Sequence, residues 1–307
     1  MNGKYIRALI VAMLLSISFS GCNVSNNGFT PVTMNDLYSV AWSGTQFAAV
    51  GVSGTILTSP DGVTWTVLTS NTTNHLSGVA WSGTQFAAVG LSGTIVTSPD
   101  GVTWSPQVSG TTNDLFGVTW SAAQELFTAV GLDGTILTSS DGVTWIAPAS
   151  GTTNDLYGVV WSGTQFAAVG LGGTIRTSLF GVTWSPQTSG TTNSLYGITW
   201  SGTQTLFTAV GLNGTILTSP DGDTWTARTS GTSNDLYGVA SSGTQFAAVG
   251  VNGAIFTSPD GVTWTARASG TTNDLYGVIW SGTQFAAVGL SGTILTSPDG
   301  ITWMPTN

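Results

Sequence analysis

Charge is what this sequence has least of. Lys and Arg together number five in 307 residues and charged residues of both signs make up 6%, against about 25% in an ordinary soluble domain. Solvent-facing helices are built largely from Lys, Glu, Arg, Gln and Ala, so coiled coils and helical bundles are excluded. Cysteine occurs once, at Cys22, which rules out an internal disulfide and a cysteine-based metal cluster. His75 is the sole histidine and Glu125 the sole glutamate. Beyond the N-terminus no apolar run reaches the roughly 20 residues of a membrane-spanning helix. A basic surface is missing as well: without Lys4 and Arg7, three arginines face 14 acidic residues. Nucleic acid, which is bound through clustered Lys and Arg, is therefore not an expected partner.

What the chain does have is 42 glycines, 13 tryptophans, 12 phenylalanines and 41% apolar residues. That is too apolar for a disordered chain and indicates an all-β fold. At the start, Lys4 and Arg7 precede an apolar stretch over residues 8–17, the length of a signal-peptide core. Ser18, Phe19, Ser20 and Gly21 then lead to Cys22. Small residues before a cysteine at this distance resemble the lipobox of bacterial lipoproteins. The resemblance implies a signal peptide over 1–21, lipidation of Cys22 and a short tether over 22–34. Several acyl chains anchor far better than one. An extracytoplasmic, lipid-anchored protein is expected, and Asn23 after the cysteine favours the outer membrane or cell surface.

From residue 35 the chain repeats. A tryptophan closes each unit, at Trp65, Trp104, Trp145, Trp184, Trp225, Trp264 and Trp303, with spacings of 39, 41, 39, 41, 39 and 39. A second recurs at Trp42, Trp81, Trp120, Trp161, Trp200 and Trp280, with Ser241 in its place in the sixth unit. Units start near 35, 74, 113, 154, 193, 234 and 273. In the last, apolar segments at 275–280, 284–288, 293–296 and from 302 onward alternate with turn residues. Four short strands per ~40 residues, seven times, indicates a seven-bladed β-propeller with four antiparallel strands per blade over 35–307. Each repeat is expected to be one blade, with residues 29–33 free to add beside the last.

Each unit ends in a segment such as Ser59-Pro60-Asp61-Gly62-Val63-Thr64-Trp65. Proline presets φ, Asp bonds its own following backbone and Gly accepts positive φ, which makes a tight hairpin. The segment resembles the Asp-box, or BNR, repeat of sialidase-type propellers, Ser-x-Asp-x-Gly-x-Thr-Trp. The whole unit also looks like repeats of the photosystem II assembly factor family. The turn is one residue shorter here, and the fourth copy, Ser178-Leu179-Phe180-Gly181, has no Asp. The resemblance implies that Asp61, Asp100, Asp141, Asp221, Asp260 and Asp299 are structural and lie on the face opposite the binding site.

Catalysis is not expected. A sialidase would need converging arginines and a Tyr–Glu pair, whereas this chain offers Arg176, Arg228, Arg267 and Glu125. His75 sits where other units carry Asp, so neither a Ser-His-Asp arrangement nor a histidine metal site is supported. No cofactor or metal is expected. The arginine-rich patch that the assembly-factor resemblance implies for partner binding has no counterpart among three scattered arginines.

Binding residues are expected at the other end. The inter-blade segment carries Asp36, Asp114, Asp155, Asp235 and Asp274, each followed by Leu and then an aromatic residue: Tyr38, Phe116, Tyr157, Tyr237 and Tyr276, with Tyr196 in the fifth unit. An acidic, aromatic ring suits sugars or cationic groups, although strand packing and turn capping in every blade account for it slightly better. Within the copied unit the second turn varies before its fixed glycine, with Asp133 in the third copy, and Arg176 and Phe256 replace an aliphatic residue beyond it; such variable positions suit partner recognition. Tyr38, Tyr157, Tyr196, Tyr237, Tyr276, Asp133 and Arg176 are the candidate ligand residues. The expected function is a monomeric scaffold for an envelope protein, with a lectin of repeated glycan sites as alternative and a glycosidase-like enzyme as the weaker one. Only the lipid anchor would touch membrane.

Overall fold

The computed structural model describes residues 33–306. The signal peptide, Cys22 and residues 22–32 of the tether lie outside the described residues. The short Val-, Ile-, Phe- and Thr-rich segments form strands, as their composition dictates. Blade one is β1 (Leu37–Trp42), β2 (Phe47–Gly51), β3 (Ile56–Ser59) and β4 (Thr66–Leu68), antiparallel and paired in that order. The pattern recurs in six more sheets, whose first strands are Leu76–Trp81, Leu115–Ser121, Leu156–Trp161, Leu195–Ser201, Leu236–Ser241 and Leu275–Trp280. The fold is a seven-bladed β-propeller. The first strands contact one another around the ring and are therefore innermost.

Blade three departs from the pattern. Its sheet has three strands, and the fourth is reduced to a bridge between Thr138 and Ile146. Pro148 stands where, in blade seven, Thr306 donates its N–H to the Ile294 carbonyl, and proline has no N–H to give. Strand limits in blade seven shift slightly from expectation, to Phe285–Gly289, Ile294–Ser297 and Met304–Pro305. Gln284 belongs instead to a turn, where its side chain donates to the Asp61 carbonyl. Thr302 is held in its hairpin by Asp299. Two extra residues in the first turns of blades three and five, where Glu125 and Thr205 adopt positive φ, explain the spacings of 41.

Core packing lies between blades. Leu37, Val40, Phe47 and Trp65 of blade one pack with Ala286, Val288 and Ile294 of blade seven, and an equivalent cluster fills every other boundary. With apolar neighbours on both sides, Phe47-Ala48-Ala49-Val50 is buried along its whole length, which is why the strands do not alternate. The last blade completes itself with Met304–Pro305, while Thr33 lies outside any strand with its carbonyl over Gly292.

The third turn of each blade is the repeated hairpin. In blade one, Asp61 Oδ1 accepts the Val63 and Thr64 N–H groups, Ser59 Oγ accepts that of Gly62, and Trp65 Nε1 donates to the Gly62 carbonyl. Gly62 needs its φ of 77° to make the turn. These bonds hold the hairpin carboxyls of Asp61, Asp100, Asp141, Asp221, Asp260 and Asp299 below the usual range. Asp141 is brought to about 2, mainly by the Thr144 and then the Val143 N–H. Blade four keeps the Ser178 and Trp184 bonds but has no carboxylate, and Leu179 and Phe180 are 56% and 63% exposed.

Two predictions follow from this hairpin. Phe180→Asp supplies the missing acceptor for the Val182 and Thr183 N–H groups and should stabilise by about 1 kcal/mol in urea unfolding; no gain would contradict the assignment. A carboxyl lowered by folding contributes stability that is complete above its unfolded value, near ~3.9, and lost as pH falls toward the folded one. The stability difference between wild type and Asp141→Ala should therefore be constant above about pH 5 and shrink toward pH 2. A difference independent of pH would refute the role of the charge.

Candidate functional site

In a four-stranded antiparallel meander the first and third turns fall at one end and the second turn and inter-blade link at the other. The hairpin aspartates and the second-turn residues are thus at opposite ends of the propeller. The second turn is tight, as over Val52–Gly54, with Ser53 at φ 53°. In every blade its middle N–H donates to the inter-blade residue of the next blade. Ser92 donates to Asp114, Asp133 to Asp155, Asn213 to Asp235, Asn252 to Asp274 and Ser291 to Asp36, all at 2.7–2.9 Å. In blade two His75 Nδ1 accepts from Ser53 at 2.8 Å, and in blade five Ser194 Oγ accepts from Gly172 at 3.3 Å. The inter-blade aspartates therefore act first as latches between neighbouring blades. Sequence reasoning put turn capping slightly ahead of ligand binding, and the capping partner proves to be the adjacent blade.

The aromatic residues are brought together by a β-bulge. Leu37 pairs with Gly51 and Ser39 with Val50, leaving Tyr38 as the extra residue, and the shift recurs in the other blades. A bulge re-aims its side chain. The rings form a chain around the inner strands: Phe116, Tyr157, Tyr196, Tyr237, Tyr276 and Tyr38, with successive centroids 5.5–5.7 Å apart. Such tilted contacts are favourable for aromatic pairs. Blade two has Ser77 at this position, so the collar is open there. Beside the opening, the His75 ring stands edge-on to Tyr38 at 6.5 Å. The bulge left no mark in the sequence pattern, but the break at Ser77 is visible on aligning the repeats.

Burial pushes the Tyr196 hydroxyl up to about 12, assisted by Asp235. It raises Tyr237 and Tyr276 as well, with Asp235 and Asp274 acting on the first and Asp274 and Asp36 on the second. His75 is lowered by burial, against a smaller upward pull from Asp36. The collar is thus an array of protonated phenols among carboxylates, an environment that favours a cation. Asp133 lies in the turn of blade three, at this end of the molecule. Arg176 is not part of the collar: it is on the third strand of blade four, in register with Ala168 and Pro186, and donates to the Gly151 carbonyl at 2.6 Å. Arg228 and Arg267 are on outermost strands and donate to Thr218 and Thr257. An open depression of about 610 Å³ lies between Gly190, Asn213, Arg228 and Thr232. Among the described residues no group of His, Cys, Asp and Glu is assembled that could hold a metal.

The architecture defines the class as a seven-bladed propeller, and comparisons with known proteins agree on that level alone. No protein-family model matches the chain, and no curated protein matches its sequence. YCF48 bound to D1 peptide superposes with a TM-score of 0.72 at 18% identity, covering 89% of this chain and 94% of that one. YCF48 from Cyanidioschyzon merolae gives 0.70 at 18% identity, covering 87% and 97%. The β-propeller domain of Cps50 (Swd1) from Myceliophteria thermophila gives 0.68 at 13% identity, covering 88% and 99%. At these identities the likeness is one of fold.

A raised tyrosine leaves stability intact below the unfolded value near ~10 and removes it as pH climbs toward the folded one. In a near-ultraviolet titration Tyr196, Tyr237 and Tyr276 should remain largely protonated at pH 11 in the folded protein and ionise with the other tyrosines in urea. Simultaneous ionisation of all six tyrosines near pH 10 without unfolding would contradict the collar.

Proposed function

We propose that this chain is a non-catalytic propeller that binds a segment of one protein partner at its collar end. The observation that carries this reading is the collar itself. Its rings pack on one another across blade boundaries and the series breaks once, so the end offers one oriented surface rather than seven separate pockets. Eleven of the fourteen carboxylates are engaged in hairpins and latches, which supports binding over acid–base catalysis. A propeller of the same fold is known with a bound peptide, YCF48 with a D1 peptide. The hairpins fit Asp-box repeats that have lost one residue of the turn. In the same reading Cys22 carries the lipid that holds the protein at the outer face of a bacterial membrane.

The lectin alternative has one specific support, the open depression near Arg228 and Asn213, whose lining contains no aromatic ring for a sugar to stack on. Selection of a displayed random-peptide library, run beside a glycan array, separates the two. Peptides should be enriched on the wild type, bind one per propeller and be lost on the Tyr196→Ala/Tyr237→Ala/Tyr276→Ala variant. Glycan binding in multiple copies with no peptide enrichment would overturn the reading. Anchoring is checked by metabolic labelling with palmitate, expected for wild type and absent in Cys22→Ser.

A further inference from the structure

Six of the seven collar positions hold an aromatic ring and the seventh holds Ser77. Two departures from the repeat fall together at blade two, because His75 replaces the latch aspartate in the inter-blade link two residues before Ser77. The break is bounded by Tyr38 of blade one and Phe116 of blade three, each of which packs on a ring on its far side. Asp36 and Asp114 stand on the blades to either side, each using one carboxylate oxygen in a latch. Asp36 is close enough to act electrostatically on His75. His75 itself accepts the Ser53 N–H through Nδ1, which places the proton of the neutral ring on Nε2. The Ser77 hydroxyl is buried and makes no hydrogen bond within the protein. A buried hydroxyl without a partner is costly and rare. The Thr128, Thr208 and Tyr196 hydroxyls are in the same state, and that of Ser77 is the one at the break in the collar.

We propose that the break at blade two is a subsite for one arginine side chain of the bound partner, its guanidinium lying between Tyr38 and Phe116 and donating to Ser77 Oγ. The inference rests on the protein-binding reading and names the side chain that the collar selects. A planar guanidinium stacks on ring faces while presenting several N–H donors at its edge, whereas a lysine ammonium is a compact, more strongly hydrated point charge. The flanking carboxylates supply the complementary charge. Because the break occurs once, the subsite fixes the direction in which a segment lies across the otherwise repetitive end.

The test uses the full chain and N-acetyl-argininamide as probe, followed by NMR shifts of the Tyr38 and Phe116 rings. Saturable binding at one site is expected, at least tenfold weaker for the uncharged citrulline analogue. N-acetyl-tyrosinamide, which would complete the collar by shape alone, should bind no better than the citrulline compound. Ser77→Tyr fills the break and should reduce argininamide binding at least tenfold. His75→Asp/Ser77→Tyr, which restores the sequence of the other blades and so should fold, must do the same. Unchanged affinity in the double variant, equal affinity for citrulline, or several equivalent sites would overturn the subsite. Selected peptides that lack arginine yet require the collar tyrosines would sink the arginine subsite and leave the protein-binding reading standing. Failure to select any peptide would remove that reading instead.

Discussion

The closeness of the seven inner strands is the constraint on which the rest depends. A Cβ at Gly277 would lie 2.8 Å from the Tyr38 carbonyl of the next blade, and Gly117, Gly158, Gly197 and Gly238 meet the same contact. Glycine after the aromatic residue lets backbone approach backbone around a narrow axis. Blade one has Ser39 there, whose hydroxyl accepts the Val79 N–H. This approach, with the bulge just before it, sets neighbouring aromatic side chains within packing distance of one another. The collar is thus a consequence of how tightly the ring closes.

Closure uses two further latches, one at each end. At the collar end the second turn of each blade donates to the next blade's inter-blade residue. At the hairpin end a glutamine in the first turn reaches the next hairpin: Gln46 donates to the Asp100 carbonyl, Gln85 to Asp141 and Gln284 to Asp61. The last of these and the Ser291–Asp36 bond join blade seven to blade one, with no strand exchanged between them among the described residues. All fourteen acidic residues belong to turns or inter-blade links. Those in hairpins neutralise N–H groups locally, so a chain with few cations needs no ion-pair network to hold them.

Much of this was legible in the residues. The tryptophan spacing gave blade number, the Pro-Asp-Gly segments gave the hairpins, and burial on both faces followed from runs such as Phe285-Ala286-Ala287-Val288. Pro148 foreshadowed the short fourth strand of blade three only once the register was known, because its effect depends on which N–H the ladder needs. The roles of Asp36 and its equivalents were undecided in sequence. Their acceptors serve a turn some 22 residues earlier, or 255 residues away for Asp36, and no local pattern records such a pairing. The bulge that gathers the tyrosines was likewise invisible, since it is a property of pairing between two strands. Arg176 stood out because it replaces an aliphatic residue of the copied unit, yet its partner is the Gly151 carbonyl at the blade boundary.

Amide hydrogen exchange at Ser291 tests ring closure most directly. If blade seven is latched to blade one as the other blades are latched to each other, the Ser291 N–H should be protected as strongly as those of Asn213 and Asn252, and Asp36→Ala should abolish that protection. Exchange of Ser291 at the rate of an unstructured amide, with Asn213 and Asn252 still protected, would mean that the ring does not close in this way and that the collar is not continuous across the chain ends.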